Sequence, residues 1–157
     1  MDRIPITTEG YATLKKELER LKSVDRKEIV LAIEEARSHG DLSENAEYDA
    51  AKERQGMIEA RIAELESKMG RFQVIDTSSL SGEKIVFGAT VVIENVETSE
   101  KKKYKIVGPD EANISKGTVS IMSPLARALV NKKAGDDVIV QAPGGDIEYE
   151  IIEVHFN

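Results

Sequence analysis

Glu35-Ala36-Arg37-Ser38-His39-Gly40-Asp41-Leu42-Ser43-Glu44-Asn45-Ala46-Glu47-Tyr48 separates two long helical patterns, and its reading decides the fold. Before it, residues 8–37 hold no Gly or Pro after Gly10, and apolar residues recur at Tyr11, Leu14, Leu18, Leu21, Ile29, Ile33 and Ala36. Steps of mostly three and four place these on one face of an amphipathic helix. Thr7 or Thr8 is the candidate N-cap, and Gly40 is the left-handed stop at the other end. After the break, a second run over 43–72 carries the stripe Ala46, Ala50, Met57, Ile58, Ile62, Leu65, Met69 and Phe72 among Glu, Lys, Arg and Gln. Each run is about 30 residues, or ~45 Å of helix. Equal helices joined by a tight turn form an antiparallel hairpin. A narrow apolar stripe with charged outer faces makes it a two-stranded coiled coil projecting into solvent.

The texture changes near Val74. Short β-like runs follow at 84–87, 90–95, 103–107, 138–142 and 147–154, separated by Gly108-Pro109-Asp110, Gly135-Asp136-Asp137 and Pro143-Gly144-Gly145. One short helix interrupts them, with Ser123 as N-cap and Pro124 at the first helical position. The expected class is α+β: an N-terminal antiparallel helical hairpin over 1–76, then a small α+β domain over 77–157 with a mostly antiparallel sheet.

Composition bounds the function. The net charge is −7 over 157 residues, and neither half is basic: 13 basic against 17 acidic residues over 1–76, then 9 against 12 over 77–157. Affinity for nucleic acid comes mainly from neutralising phosphates, so tight independent binding of DNA or RNA is not expected. The chain has no Cys, which excludes a disulfide scaffold, a thiol nucleophile and a Cys zinc site. Met1-Asp2-Arg3-Ile4-Pro5 lacks the apolar run of a signal peptide, and no segment reaches membrane-spanning length, so the expectation is a soluble, cytoplasmic protein. With two His far apart, neither a His metal cluster nor a His-centred triad has support.

Chemistry concentrates in the turn. Asp41 and Glu44 stand three residues apart at the start of the second helix, which puts both carboxylates on one side. An Asp followed by a Glu three residues on is also a variant capping box, and both acids suit the positive end of the helix dipole. The second reading is a divalent metal site. Mg²⁺ wants six oxygens and proteins commonly supply one or two carboxylates. Such a tip is half a site, completed only where another protein already holds a metal and a phosphodiester.

The stretch from His39 to Tyr48 resembles the tip signature of the Gre family of transcript cleavage factors. The likeness extends through Leu21-Lys22-Ser23-Val24, Ala32-Ile33-Glu34-Glu35-Ala36-Arg37, Val74-Ile75-Asp76, Val86-Phe87-Gly88-Ala89-Thr90-Val91, Ile106-Val107-Gly108, Ser123-Pro124-Leu125-Ala126-Arg127-Ala128-Leu129 and Ala142-Pro143-Gly144-Gly145. It covers essentially the whole chain. The resemblance implies a non-enzymatic accessory factor whose hairpin enters the secondary channel of bacterial RNA polymerase. There Asp41 and Glu44 hold a Mg²⁺ shared with the polymerase, which then cleaves its own backtracked RNA near the 3′ end. It also implies that the C-terminal domain has a fold like the FK506-binding proteins and docks at the channel mouth. Ser123, Pro124 and Arg127 are the docking candidates.

Around the tip, Arg37, Tyr48 and Lys52 are the candidates for lying near RNA, and the small size of this basic patch fits the GreA branch. Arg37 and Lys52 read equally as ordinary solvated helix charges, and Tyr48 also reads as packing across the end of the hairpin. Ser43 and Asn45 support the tip, or cap the helix locally. Ser123-Pro124 most economically starts a helix. Proline isomerisation is not expected, because the second domain offers only Phe87, Tyr104, Tyr149 and Phe156 to line a ring pocket. Two other functions stand beside the leading one. A channel-plugging inhibitor would carry a differently arranged, more acidic tip, whereas a coiled-coil adaptor would self-associate rather than remain the expected monomer.

Overall fold

The structure, a computed structural model, describes residues 2–40 and 45–156. It divides into two compact units, one formed by 11–72 and the other by 2–10 together with 73–156. The second unit is therefore not contiguous in sequence, unlike the division at 76/77 read from the sequence. The reason is strand β1 (Ile4–Thr7), which pairs with β2 (Phe72–Ile75). Both strands are too short to show a period, and the sequence reading assigned neither.

In the first unit, α1 (Thr8–Arg20) and α2 (Arg26–Arg37) run as one continuous helical rod joined by a wider π turn over Leu21–Asp25. They pack antiparallel to α3 (Ala46–Met69). The seam on α3 is Tyr48, Ala51, Gln55, Ile58, Ile62, Leu65 and Met69, a strict alternation of three and four that keeps one face on the partner helix. This corrects the expected stripe. Ala46 and Ala50 are exposed and Met57 is 67% exposed, because Ala50 and Met57 lie one position off that 3.5-residue period and Ala46 two, while Ala51 is the buried alanine.

On the facing rod the seam runs Tyr11, Leu14, Leu18, Leu21, Asp25, Ile29, Ile33 and Ala36. Three successive steps of four, from Leu21 through Asp25 and Ile29 to Ile33, replace a four-three-four alternation and add one residue. The π turn absorbs it: the Arg26 N–H bonds the Leu21 carbonyl, five residues back, so the apolar face returns to register. Ion pairs border the seam. The Arg61 guanidinium grips Glu17 at 2.7 and 3.0 Å, Arg26 grips Glu59 at 2.9 and 2.8 Å, and Lys22 meets Glu66 at 3.1 Å. Tyr11 and Phe72 close the far end edge to face, their ring centroids 6.2 Å apart.

In the second unit, β3 (Ala89–Asn95), β4 (Lys101–Val107), β5 (Thr118–Ser120), β6 (Asp137–Ala142) and β7 (Gly145–Phe156) form one sheet in the order β5-β4-β3-β7-β6. Every pairing is antiparallel except β4 with β5. Between β3 and β7 the register skips one residue, from Val92↔Glu153 to Ile93↔Ile151, which marks a bulge. Helix α4 (Pro124–Leu129) buries Ala126 and Leu129 with Ile85, Val91, Ile93, Ile106, Val119, Val138 and Ile151 in one core. Residues 84–87, expected as a strand, make only a single bridge, Lys84 to Lys133, although Ile85 is fully buried. Tyr104, Tyr149 and Phe156 pack against the core. Among the described residues no helix is long and apolar enough to cross a membrane.

Candidate functional site

The hairpin turn is described on both flanks. Helix α2 ends at Arg37, and the chain leaves it through Ser38 and His39 to Gly40, whose φ of 98° is left-handed, as its position after a helix end requires. Asp41, Ser43 and Glu44, on which the acidic-tip reading and part of its support rest, lie outside the described residues. The chain is described again at Asn45, the N-cap of α3. Its Oδ1 accepts from the Tyr48 N–H at 3.0 Å, and its Nδ2 donates to the Ala36 carbonyl at the end of α2. One side chain thus starts α3 and ties it to α2. This holds together the two ends that the Asp41–Glu44 link connects.

Asn45→Ala is expected to cost about 1–2 kcal/mol, as lost caps do, with Asn45→Asp keeping the cap but losing the donor to Ala36. Urea melts of the three proteins check this.

Of the candidates for lying near RNA, Arg37 and Lys52 are exposed, and the Lys52 ammonium donates to Gln55 Oε1 at 3.1 Å. Tyr48 is half-buried and packs against the Ile29, Ile33 and Ala51 cluster, so its ring belongs to the seam. His39 Nδ1 lies 3.3 Å from Glu47 Oε2 across the turn. Among the described residues no group of three or more His, Cys, Asp or Glu could hold a metal ion.

Three carboxylates of the arm, Glu17, Glu59 and Glu64, titrate low. The hydrogen bond from Arg61 holds Glu17 below its ordinary value, the bond from Arg26 does the same for Glu59, and Arg61 with Lys68 for Glu64. A carboxylate depressed in the folded state stabilises that state fully above its ordinary value of 4.5, and loses that contribution as pH falls through the depressed values. Acid titration should therefore loosen the arm, with helicity in the far-ultraviolet falling below that value. Added salt should blunt the effect, because the pairs are largely exposed.

In the second unit, the Ser123 hydroxyl accepts from the Ala126 N–H at 3.2 Å as the cap of α4, with Pro124 in the first turn. Arg127 and Pro124 line a shallow groove with Ala128, Ile139 and Gln141. Ile139 is 61% exposed, and Met122, just before the cap, is also exposed. These two apolar residues were not among the sequence candidates. The signal was present in β6, where Val138 and Val140 point inward and Ile139, alternating with them, must face out.

Two families of transcription elongation factor match almost the whole chain: "Transcription elongation factor, N-terminal" over 4–74, and "Transcription elongation factor, GreA/GreB, C-term" over 80–156. The chain belongs to the GreA/GreB family of transcription elongation factors. It is of the GreA type. It is 59% identical over 156 residues to the transcription elongation factor GreA of Nitratidesulfovibrio vulgaris (strain DSM 19637 / Miyazaki F), covering 99% of this chain and 97% of that one. It is 57% identical to the GreA of Hyphomonas neptunium (strain ATCC 15444), covering 98% of each. Among solved structures, the GreA factor homolog 1 protein of Thermus thermophilus is 29% identical, with a TM-score of 0.44 over 98% of this chain and 99% of that one.

Proposed function

We propose that this protein is an accessory factor that inserts its helical arm into the secondary channel of bacterial RNA polymerase and stimulates the polymerase to cleave backtracked RNA. The observation that carries the reading is the paired helix end at the turn. Two helices stitched by ion pairs and tied by Asn45 present the link Asp41-Leu42-Ser43-Glu44, with both acids in a short segment. The donor set fits Mg²⁺, a hard cation that takes carboxylate oxygens and keeps other positions for water and phosphate. When bound, the ion supplies activation of an attacking water and charge stabilisation at the scissile phosphodiester. Asp41 and Glu44 contribute oxygens and a fixed orientation, whereas the polymerase and its RNA 3′ end contribute the rest.

The C-terminal unit docks on the polymerase through the α4 surface, where Pro124, Arg127 and the exposed Ile139 offer an apolar patch with one cation. Arg37 and Lys52, exposed on either side of the turn, meet RNA phosphates. The protein acts as a monomer in the cytoplasm and binds no nucleic acid tightly by itself. The test is RNA release from stalled, backtracked polymerase. Short 3′ fragments should appear only when polymerase and this protein are together, never with the protein alone. No fragment above the polymerase's own background would refute the reading.

A further inference from the structure

Helix α4 packs on one side of the five-stranded sheet, the side of Val91, Ile93, Ile106 and Ile151. Residues that alternate with these point to the other side. There Lys101, Lys103 and Lys105 form a column along β4, in register with Glu94, Val92 and Thr90 of β3. Beyond β3 the same three rows end on Glu150, Glu153 and His155 of β7. Lys101, Lys103, Glu153 and His155 are exposed, while Lys105 and Glu150 are half-buried.

Glu150 and Glu153 share this side because of the bulge. Residues three apart in a regular strand point to opposite sides, and the extra residue in β7 brings the two acids onto one. The signs are therefore segregated. Among the described residues none of the three lysines holds an ion pair, and Glu153 pairs within its own strand, with His155 at 3.0 Å. Successive lysines stand about 6.8 Å apart and repel, and the acids lie two strands away, about 9.6 Å, too far for direct pairing.

Such a face is complementary to itself. Turn a second copy over about a two-fold axis parallel to β3: the rows stay in place and the outer columns exchange. Lys103 then lies over Glu153 of the second copy and Lys101 over its Glu150, and each contact occurs twice because the interface is isologous. Val92 meets Val92 on the axis, and the two Glu94 side chains meet between the two Lys101 ammoniums. A two-fold across the strands would instead set lysine on lysine.

We propose that this side of the sheet is a self-association surface, on which two copies of the chain pair face to face with each lysine column on the other's acidic column. A nucleic-acid strand is the competing occupant of the lysines. The net charge of −7 opposes it, as does an acidic column about one Debye length away at 0.1 M salt, whereas the same acids serve the pair. Five strands spaced about 4.8 Å give a face roughly 20 Å wide, in the class of transient contacts below about 1,200 Å². The pair is thus a weak state of the free protein. It does not rest on the function proposed above, in which the single copy acts.

Sedimentation equilibrium of the full chain tests this. At an ionic strength of about 0.01 M the wild-type protein should pass from one copy to two as its concentration rises. In about 1 M salt, where the Debye length falls to ~3 Å, it should return to one. Lys103→Glu and Glu153→Lys should each weaken pairing by about 10-fold or more, because like charges then oppose at two symmetric points. Both positions are exposed, so far-ultraviolet spectra and melting should not change. An equimolar mixture of the two variants should pair again, because each reversed charge then faces its opposite on the other copy. A wild-type protein that stays single at low salt, a pair that survives both reversals, or a mixture that stays unpaired would each overturn the proposal. So would a labelled single-stranded RNA whose fluorescence anisotropy rises with wild-type protein that stays single, and does not rise with Lys103→Glu.

Discussion

Asp41→Ala and Glu44→Ala should each remove stimulated RNA cleavage while leaving folding and polymerase binding close to wild type. A metal ligand contributes several kcal/mol of charge stabilisation in the transition state, and each 1.4 kcal/mol is a factor of ten in rate, so a loss of ~100-fold or more is expected. The fold is spared because the frame of the arm, among the described residues, is carried by other side chains. The cap of α3 is Asn45, the tie to α2 is again Asn45, and the buried seam begins at Tyr48 and Ala51. From their place in the sequence just before the second helix, both acids also suit the positive end of its dipole, an effect worth roughly 0.3–1 kcal/mol each. Cleavage of backtracked RNA measured across a Mg²⁺ titration is the check. If the acids hold the ion, raising Mg²⁺ should partly restore Asp41→Ala. Wild-type rates in both variants at low Mg²⁺ would remove the tip from the mechanism.

Leu65→Ala should unravel the arm and leave the C-terminal unit folded. Leu65 is 1% exposed toward the base of a thin seam, whose other buried side chains are Leu14, Leu21, Ile29, Ile33, Ala36, Ala51 and Ile62, with Phe72 at the base. Truncating a buried leucine costs about 2–5 kcal/mol, more where the surroundings cannot close on the cavity. Two facing helices have no third layer to relax into the space. The second unit has its own core around Ile85, Ile93, Ile106, Leu129 and Ile151, and shares none of this loss. Amide exchange should accelerate along α2 and α3 and stay slow in β3 and β7. Met57→Ala, on the same helix but exposed, should stay within about 0.5 kcal/mol of wild type. If Leu65→Ala left arm exchange unchanged, the seam would not be what holds the two helices together.

Much of the architecture was legible because long elements repeat their period. Some thirty residues of three-four spacing on either side of Gly40 leave little choice but two helices, and Ser123-Pro124 announces α4 by capping chemistry alone. Which alanines faced the partner was harder to read. Ala46 and Ala50 fit a helix period of four as well as Ala51 fits the coiled-coil period of 3.5, and only the opposing helix decides between them. The extra residue in the rod was visible as a step from Leu21 to Ile29, but a π turn is one of several ways to absorb it.

The sequence by itself determined a helical hairpin with two acids in its turn and a separate sheet domain, because periodicity, capping residues and turn residues act over a few neighbours. Only the tertiary structure decided that β1 leaves the hairpin to join the second unit, that Tyr48 belongs to the seam, and that the Glu111 carboxylate accepts from the Thr7 N–H and hydroxyl just before α1. Those contacts join residues far apart in the chain, where no local period carries a signal. Their energy exists only once burial has brought a donor and its distant acceptor within hydrogen-bond reach.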